Sequence, residues 1–281
     1  MSTLISIAIP MHNREDTIEA CLNSVLRQDY GNIEILIVDD CSTDNSTETV
    51  KKIYDSRIKV FSYDKKIGAQ GARNVAIKNA LGDWIVFLDS DDLLTNNSIS
   101  VRYSVVNDDP DVDFIYGDVL AADNTVVEFK NINNMSRCEI KKHLFKELCL
   151  CCFSSMMVRK KSIEQIGCLD ENYLAWQDDS LVLSMFMHGA KFRHCGEIVC
   201  KMRPSNNQIS SNFNYKYQGI KKIVECYQKE IIEANGQMVF FLWEMRIFLD
   251  YLRAKPRTMI NRALCKMLSR FLLLYFEHIW G

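Results

Sequence analysis

Trp84-Ile85-Val86-Phe87-Leu88-Asp89-Ser90-Asp91-Asp92 changes character once, between Leu88 and Asp89. Five consecutive large apolar residues fit a strand covered on both faces, as in a parallel sheet flanked by helices. The four polar residues after them then sit at that strand's carboxyl end, where open α/β sheets bind ligands. The pattern repeats upstream. Leu4 to Ile9 is a short β-branched run closed by Pro10, and Ile33 to Val38 and Ile58 to Phe61 are further apolar strands. Between them, Ile18, Cys21, Leu22, Val25 and Leu26 form one helical face, and Val50, Ile53 and Tyr54 mark a second helix. Ala72 to Leu81 is helical and stops at Gly82. Such alternation predicts an α/β fold with a mostly parallel central sheet flanked by helices.

Beyond Asp92 the alternation loosens. Phe114 to Tyr116 and Ser154 to Val158 read as strands, Ile163 to Ile166 as a short helix ended by Gly167, and residues 123–150 as loops with a helix. From about Tyr215 the pattern is helical. No repeat or low-complexity linker interrupts the chain.

Three strand ends carry polar clusters: Pro10-Met11-His12-Asn13, Asp39-Asp40, and Asp89-Ser90-Asp91-Asp92. In a parallel sheet they meet in one crevice, and the convergence is more informative than any one cluster. Carboxylates packed as tightly as Asp89, Asp91 and Asp92 repel unless a cation or hydrogen-bond donors offset them. Mg²⁺ or Mn²⁺ takes oxygen ligands, commonly one or two carboxylates plus substrate phosphates. The bland alternative is an acidic loop in which Asp92 caps the next helix. Asp40 suits a base N–H or a ribose hydroxyl; otherwise the turn caps the following helix through Ser42 or Asp44. Lys66-Ile-Gly-Ala-Gln-Gly-Ala-Arg-Asn74 precedes a helix and is neither a dinucleotide fingerprint nor a P-loop. Its Arg73 is a fixed cation that either reaches a phosphate or braces the acidic cluster.

With 48% hydrophobic and 25% charged residues, the composition is that of a soluble globular protein. The formal net charge of −2 gives no overall field that would attract nucleic acid. Eleven cysteines, an odd number, with no export-signal pattern at the start, imply reduced thiols and a cytoplasmic setting. Cys149-x-Cys151-Cys152 lacks a matching second pair and reads as buried thiols rather than a zinc site. His143, His188, His194 and His278 show no partner pattern and read as structural or surface residues.

Taken together, Ile5-Ser-Ile-Ala-Ile-Pro-Met-His-Asn13, Val38-Asp-Asp-Cys-Ser-Thr-Asp44, Gly68-Ala-Gln-Gly-Ala-Arg-Asn74, Gly82-Asp-Trp-Ile-Val-Phe-Leu-Asp-Ser-Asp-Asp92 and Trp176-Gln-Asp-Asp-Ser-Leu181 resemble an inverting family 2 glycosyltransferase of the GT-A fold, of the bacterial surface-polysaccharide type. The likeness covers roughly residues 4–185. It implies a GT-A catalytic domain over residues 1–212, with 1–117 for the nucleotide sugar and 118–212 for the acceptor, followed by a helical region over 213–281. It further implies that Pro10, His12 and Asp40 line the nucleoside pocket and that Asn13, Lys66, Arg73, Asp89, Ser90 and Asp91 complete the donor site. Asp91, with Asp89 and nearby Asp92, would hold Mn²⁺ or Mg²⁺. Asp178 would be the catalytic base, with Asp179 beside it as the rival. Two positions depart from the family: His12 replaces its usual tyrosine, and Gln177 its usual glutamate. The implied donor is a UDP-sugar, and the implied acceptor a glycan hydroxyl, lipid-linked in O-antigen, capsule or lipooligosaccharide synthesis. A silent sugar-nucleotide-binding protein or a nucleotidyltransferase is the rival reading; the second would need a glycine-rich basic loop where Pro10-Met-His-Asn13 stands.

No window has the ~18–20 apolar residues of a spanning helix. From Arg253 to Arg270, however, there are six basic residues and no acidic one, and Leu264, Met267, Leu268, Phe271, Leu272 and Tyr275 follow at helical spacing. That pattern suits a peripheral contact with the inner face of a membrane through residues 253–281. It equally suits packing on the catalytic domain or on a second subunit as a homodimer.

Overall fold

The computed structural model describes residues 3–148, 150–203, 212–254 and 267–268. In chain order come β1 (Ile5–Met11), α1 (Ile18–Leu26), β2 (Ile33–Asp40), α2 (Ser46–Lys51), β3 (Ile58–Tyr63), α3 (Gly68–Asn79), β4 (Trp84–Phe87), β5 (Leu93–Leu94) and α4 (Ser98–Asp108). There follow β6 (Phe114–Leu120), β7 (Val126–Val127), α5 (Arg137–Glu147), β8 (Met156–Arg159), α6 (Lys160–Gln165), α7 (Gln177–Met187), β9 (Phe192–Lys201) and α8 (Phe213–Ala254).

The strands form one sheet in the order β3-β2-β1-β4-β8-β6-β9-β5, with β7 paired to β6. β3, β2, β1 and β4 are parallel; β1, β2 and β4 are buried along their length, as expected of such strands, while β3 at the sheet edge carries Lys59 and Ser62 and is largely exposed. Beyond β4 the sheet becomes mixed: β8 runs antiparallel to β4 and β6, while β9 runs parallel to β6. The expectation of a mostly parallel sheet therefore describes the first half of the chain only. β9 escaped the sequence reading because Phe192–Lys201 interleaves Arg193, His194, Glu197 and Lys201 with its apolar residues.

The described chain divides into two compact units. The first comprises Met1–Asn134, Cys149–Glu171 and Leu181–Ser205 and contains the sheet. Its core is built from β1, β2 and β4, with Ile5, Ile7, Ile9, Ile35, Ile37, Val86 and Leu88 buried against Cys21, Leu22 and Val25 of α1. At the amino ends of these strands, buried Glu34 accepts hydrogen bonds from Ser6 Oγ (2.6 Å), Lys59 Nζ (2.8 Å) and Leu81 N (2.6 Å). Burial opposes its charge, but these donors outweigh it and hold its carboxyl below the usual range. Gly82 is required here, since a Cβ would lie 2.6 Å from Leu4 O.

The second unit comprises Met135–Leu148, Asn172–Ser180 and Asn206–Gly281. A capping box starts α5: Ser136 Oγ accepts from Glu139 N (3.3 Å) and Ser136 N donates to Glu139 Oε2 (2.7 Å). α8 consists of helical stretches broken at Tyr227 and at Gly236, whose φ of +81° and ψ of 170° only glycine adopts readily. Trp243 Nε1 donates to Phe145 O (2.9 Å) and so ties α8 to α5. Leu268 and Met245 pack against Leu242 and Leu249. The remaining basic and apolar positions expected to contact a membrane, 255–266 and 269–281, lie outside the described residues, as does His278. Among the described residues no helix is long and apolar enough to cross a membrane.

Candidate functional site

The register of the parallel strands brings the motif-bearing ends together, with Met11 opposite Asp39 on β2 and Ala8 opposite Phe87 on β4. Past these ends, hydrogen bonds and ion pairs join the turns into a closed circuit within the first unit. Asn13, in the left-handed region at φ +51°, donates its N–H to Ser42 Oγ (3.0 Å) and accepts from Thr43 N (2.8 Å). Asp40 accepts from Ile67 N (2.6 Å) and Gly68 N (3.1 Å), meeting backbone donors that the start of α3 leaves unpaired. One and a half turns into α3, Arg73 donates to Asp89 Oδ1 (2.6 Å). Asp91 Oδ2 lies 3.4 Å from the Arg14 guanidinium, which also donates to His12 O and Asn13 O. The circuit then returns to β1.

Each expected residue has a defined set of protein contacts in this geometry. Arg73 is buried, stacks over the Phe153 ring at 3.7 Å and pairs with Asp89, so it braces the acidic turn. Asp40 turns one oxygen onto each of two α3 amides, and carboxylate lone pairs beyond these remain for a ligand. Asn74 holds the chain far downstream, exchanging hydrogen bonds with Leu169 (2.9 Å each way) and donating to Glu171 (2.9 Å). Asp92 does not cap α4, whose N-terminal flanking residue is Asn97. Its Oδ2 accepts from Ser154 Oγ (2.6 Å) and its Oδ1 from Arg203 N (3.2 Å), so protein donors already engage both oxygens expected near a metal. Burial, together with the charges of Asp89 and Asp91, pushes the Asp92 carboxyl up to about 7. Pro10 is partly buried, Ser90 buried and Lys66 exposed.

Asp89 and Asp91 are the accessible carboxylates of the cluster, their side chains 38% and 17% exposed. Among the described residues no three acidic, imidazole or thiol groups converge on one point. The donor set nevertheless fits a divalent ion. It offers two hard oxygen ligands, Asp89 and Asp91, on one turn, each partly open to solvent. His12 Nδ1 is buried without a hydrogen-bond partner among the described residues, as expected of a group that a ligand would satisfy.

Asp178 and Asp179 lie in the second unit, in the first turn of α7, where the helix dipole favours negative charge. The preceding Trp176 has φ +59°, a costly conformation for a bulky residue, and its Nε1 donates to Lys216 O (3.1 Å). Asp179 N donates to Asp178 Oδ1 (3.1 Å). Burial, with the Asp178 charge, pushes the Asp179 carboxyl well above the usual range.

Three participants have weak sequence signals or none. Arg14 follows the strand-end turn directly, and a cation at that place was the available clue. Ser154, which accepts from Asp89 N (3.1 Å) while donating to Asp92, and Phe153 beneath Arg73 have no local mark. The histidine readings concern packing: His194 is buried, 3.0 Å from Asp118 and edge-on to Tyr116. Cys21, Cys41, Cys138, Cys152, Cys168, Cys195, Cys200 and Cys226 are free thiols.

A family model described as Glycosyl transferase family 2 matches residues 6–167. Over 220 residues the chain is 33% identical to the Escherichia coli UDP-Glc:alpha-D-GlcNAc-diphosphoundecaprenol beta-1,3-glucosyltransferase WfgD, covering 78% of this chain and 83% of that protein. Among solved structures, Staphylococcus aureus TarS residues 1–349 in complex with UDP-GlcNAc superposes with a TM-score of 0.68 at 17% identity, covering 99% of this chain and 92% of that one. The mannosyltransferase PcManGT from Pyrobaculum calidifontis, in complex with GDP-Man and Mn²⁺, gives 0.64 at 16% identity, over 99% and 82% of the two chains. At these identities the structures bear on the fold.

Proposed function

Because the chain belongs to glycosyl transferase family 2, it is a glycosyltransferase with the GT-A fold, and we propose that it moves a hexose or N-acetylhexosamine from a UDP-sugar to a hydroxyl of a lipid-linked glycan, inverting the anomeric centre. The observation that carries this reading is the closed circuit of strand-end motifs that sets Asp89 and Asp91 at the mouth of the sheet. The similarity to a glucosyltransferase named for a diphosphoundecaprenol-linked acceptor supports the acceptor class and a role in surface-polysaccharide synthesis. Residues 1–212 would carry the transfer chemistry, with 213–281 as an accessory helical region at the cytoplasmic face of a membrane.

In this reading Pro10, His12 and Asp40 line the nucleoside pocket, while Asn13, Lys66 and Ser90 shape the donor site. Asp91 and Asp89 would hold Mn²⁺ or Mg²⁺, with Asp92 kept behind them by Ser154 and Arg203. When bound, the ion offsets charge on the departing diphosphate. Asp178 takes the acceptor hydroxyl's proton as that oxygen bonds to the anomeric carbon from the face opposite the leaving group. Asp179 beside it is the rival for the role.

The test is direct. Full-length protein with Mn²⁺ is screened against nucleotide sugars for thermal protection, since tight binding raises stability in proportion to ln(1 + [L]/Kd). The stabilising donor is then incubated with an alkyl-diphospho-N-acetylhexosamine. A product of opposite anomeric configuration, read from NMR coupling constants, is expected; retained configuration or transfer without UDP-sugar binding would overturn the proposal.

A further inference from the structure

Arg14 forms the one link of the circuit that spends a cation on the carboxylate best placed for the metal. Its backbone N–H donates to Ser46 Oγ (2.6 Å), and its Nη1 donates to His12 O (3.2 Å) and Asn13 O (3.0 Å). The residue is thus held at its backbone by the first residue of α2 and at its guanidinium by the turn after β1, while its other terminal nitrogen faces Asp91 Oδ2 at 3.4 Å. With the two side chains 24% and 17% exposed, the pair is only partly screened by water. Asp89 is engaged in the same way by Arg73, and Asp92 by Ser154 and Arg203 N. Every carboxylate of the acidic turn therefore has a protein partner.

An incoming divalent ion must replace the Arg14 contact at Asp91 and then sit beside a guanidinium that two carbonyls keep in place. A bare ion is disfavoured there by charge repulsion. An ion accompanied by a diphosphate brings its own negative oxygens, which offset both cations. We propose that Arg14 is a positioning residue that occupies Asp91 in the metal-free protein and thereby makes ion binding depend on the donor's diphosphate. This rests on the assignment of Asp91 and Asp89 as metal ligands. The coupling is reciprocal: the ion strengthens nucleotide binding by the factor by which the nucleotide strengthens ion binding.

The experiment is a Mn²⁺ titration of the full chain followed by electron paramagnetic resonance of free Mn²⁺, with and without UDP; no turnover is involved. Wild type should bind Mn²⁺ weakly alone and roughly tenfold or more tightly with UDP, the scale of an ordinary coupling between two ligands. Arg14→Gln should bind Mn²⁺ alone about three- to tenfold more tightly than wild type, the range expected from removing one partly exposed charge pair and its repulsion, and its enhancement by UDP should shrink accordingly. Arg14→Lys should stay near wild type, and Arg14→Met should repeat the glutamine result if that variant folds poorly. A variant affinity for Mn²⁺ alone that equals or falls below wild type, with the UDP enhancement intact, overturns the role of Arg14 and leaves the metal ligands standing. Wild type that binds no Mn²⁺ in either arm overturns the ligand assignment, and this inference with it.

Discussion

Ser154 shows how much one hydroxyl organises at this site. It accepts from Asp89 N and donates to Asp92 Oδ2, bridging the acidic turn to a segment more than sixty positions away. Ser154→Ala leaves a buried amide and a buried carboxylate oxygen without partners, a loss of about 1–3 kcal/mol. Chemical denaturation should show that loss, together with weaker Mn²⁺ binding; unchanged stability would mean that water replaces the hydroxyl. Asp91→Ala should abolish metal-dependent transfer, whereas full turnover in excess chelator would remove the metal from the reaction. Asp178→Asn should leave UDP-sugar binding largely intact and lower kcat by ~10²–10⁴, the usual worth of a general base. Near-normal kcat in that variant would disqualify Asp178, and the same measurement on Asp179→Asn would then decide its neighbour.

At the level of elements, α3 links the end of β2 to the acidic turn after β4. Its start is fixed by Asp40 from β2, and Arg73 within it fixes Asp89 after β4. Asp40→Ala should therefore cost about 1 kcal/mol in stability, as for loss of a helix-capping group. It should also weaken UDP and Mn²⁺ binding together, because the start of α3 loses its anchor and Arg73 its placement. Loss of UDP binding with Mn²⁺ binding unaltered would limit Asp40 to the nucleoside pocket. α4 plays a comparable structural part. Its fully buried Arg102 donates to Met156 O (3.0 Å) and Ser98 Oγ (2.6 Å), tying the helix to the start of β8.

For the molecule as a whole, Asp92 gives a pH dependence with a definite sign. Its folded-state carboxyl is raised to about 7, so its contribution to stability is complete below about pH 4 and is lost as pH rises through 7. Asp92→Asn should flatten the pH dependence of the metal-free melting temperature and match or exceed wild type at pH 8. An unchanged slope between pH 5 and 8 would show that Asp92 is ionised in the metal-free protein throughout. Met238, Phe241, Phe248 and Tyr251 are exposed on α8, just ahead of the six cations between Arg253 and Arg270. Near an anionic leaflet each cation contributes ~1 kcal/mol within a Debye length. Full-length protein should bind anionic vesicles at low salt and release them as salt rises, and truncation before Arg253 should remove binding while sparing transfer to a soluble acceptor. Indifference to such vesicles would assign the segment to packing, the direction in which Leu268 against Leu242 and Leu249 points.

The sequence by itself determined the parallel half of the sheet and the strand ends at which its polar clusters meet. Apolar runs of period-independent burial make β1, β2 and β4, and a polar residue placed after such a run must emerge at the strand's carboxyl end. Asp89, Asp91 and Asp40 were legible for that reason. Tertiary structure alone decided which group each one meets. Asp40 reaches α3 from 27 positions away, Ser154 reaches Asp92 from 62, and Arg203 reaches it from 111. It also decided that β9, broken by polar residues, pairs parallel to β6 through a bulged register with Gly117 pressed against Glu197 O. Local periodicity records how a segment divides its side chains between core and water. The partner of a buried carboxylate is chosen by which backbone and hydroxyl donors the packed sheet brings within 3 Å of it, and that choice leaves no mark on neighbouring residues.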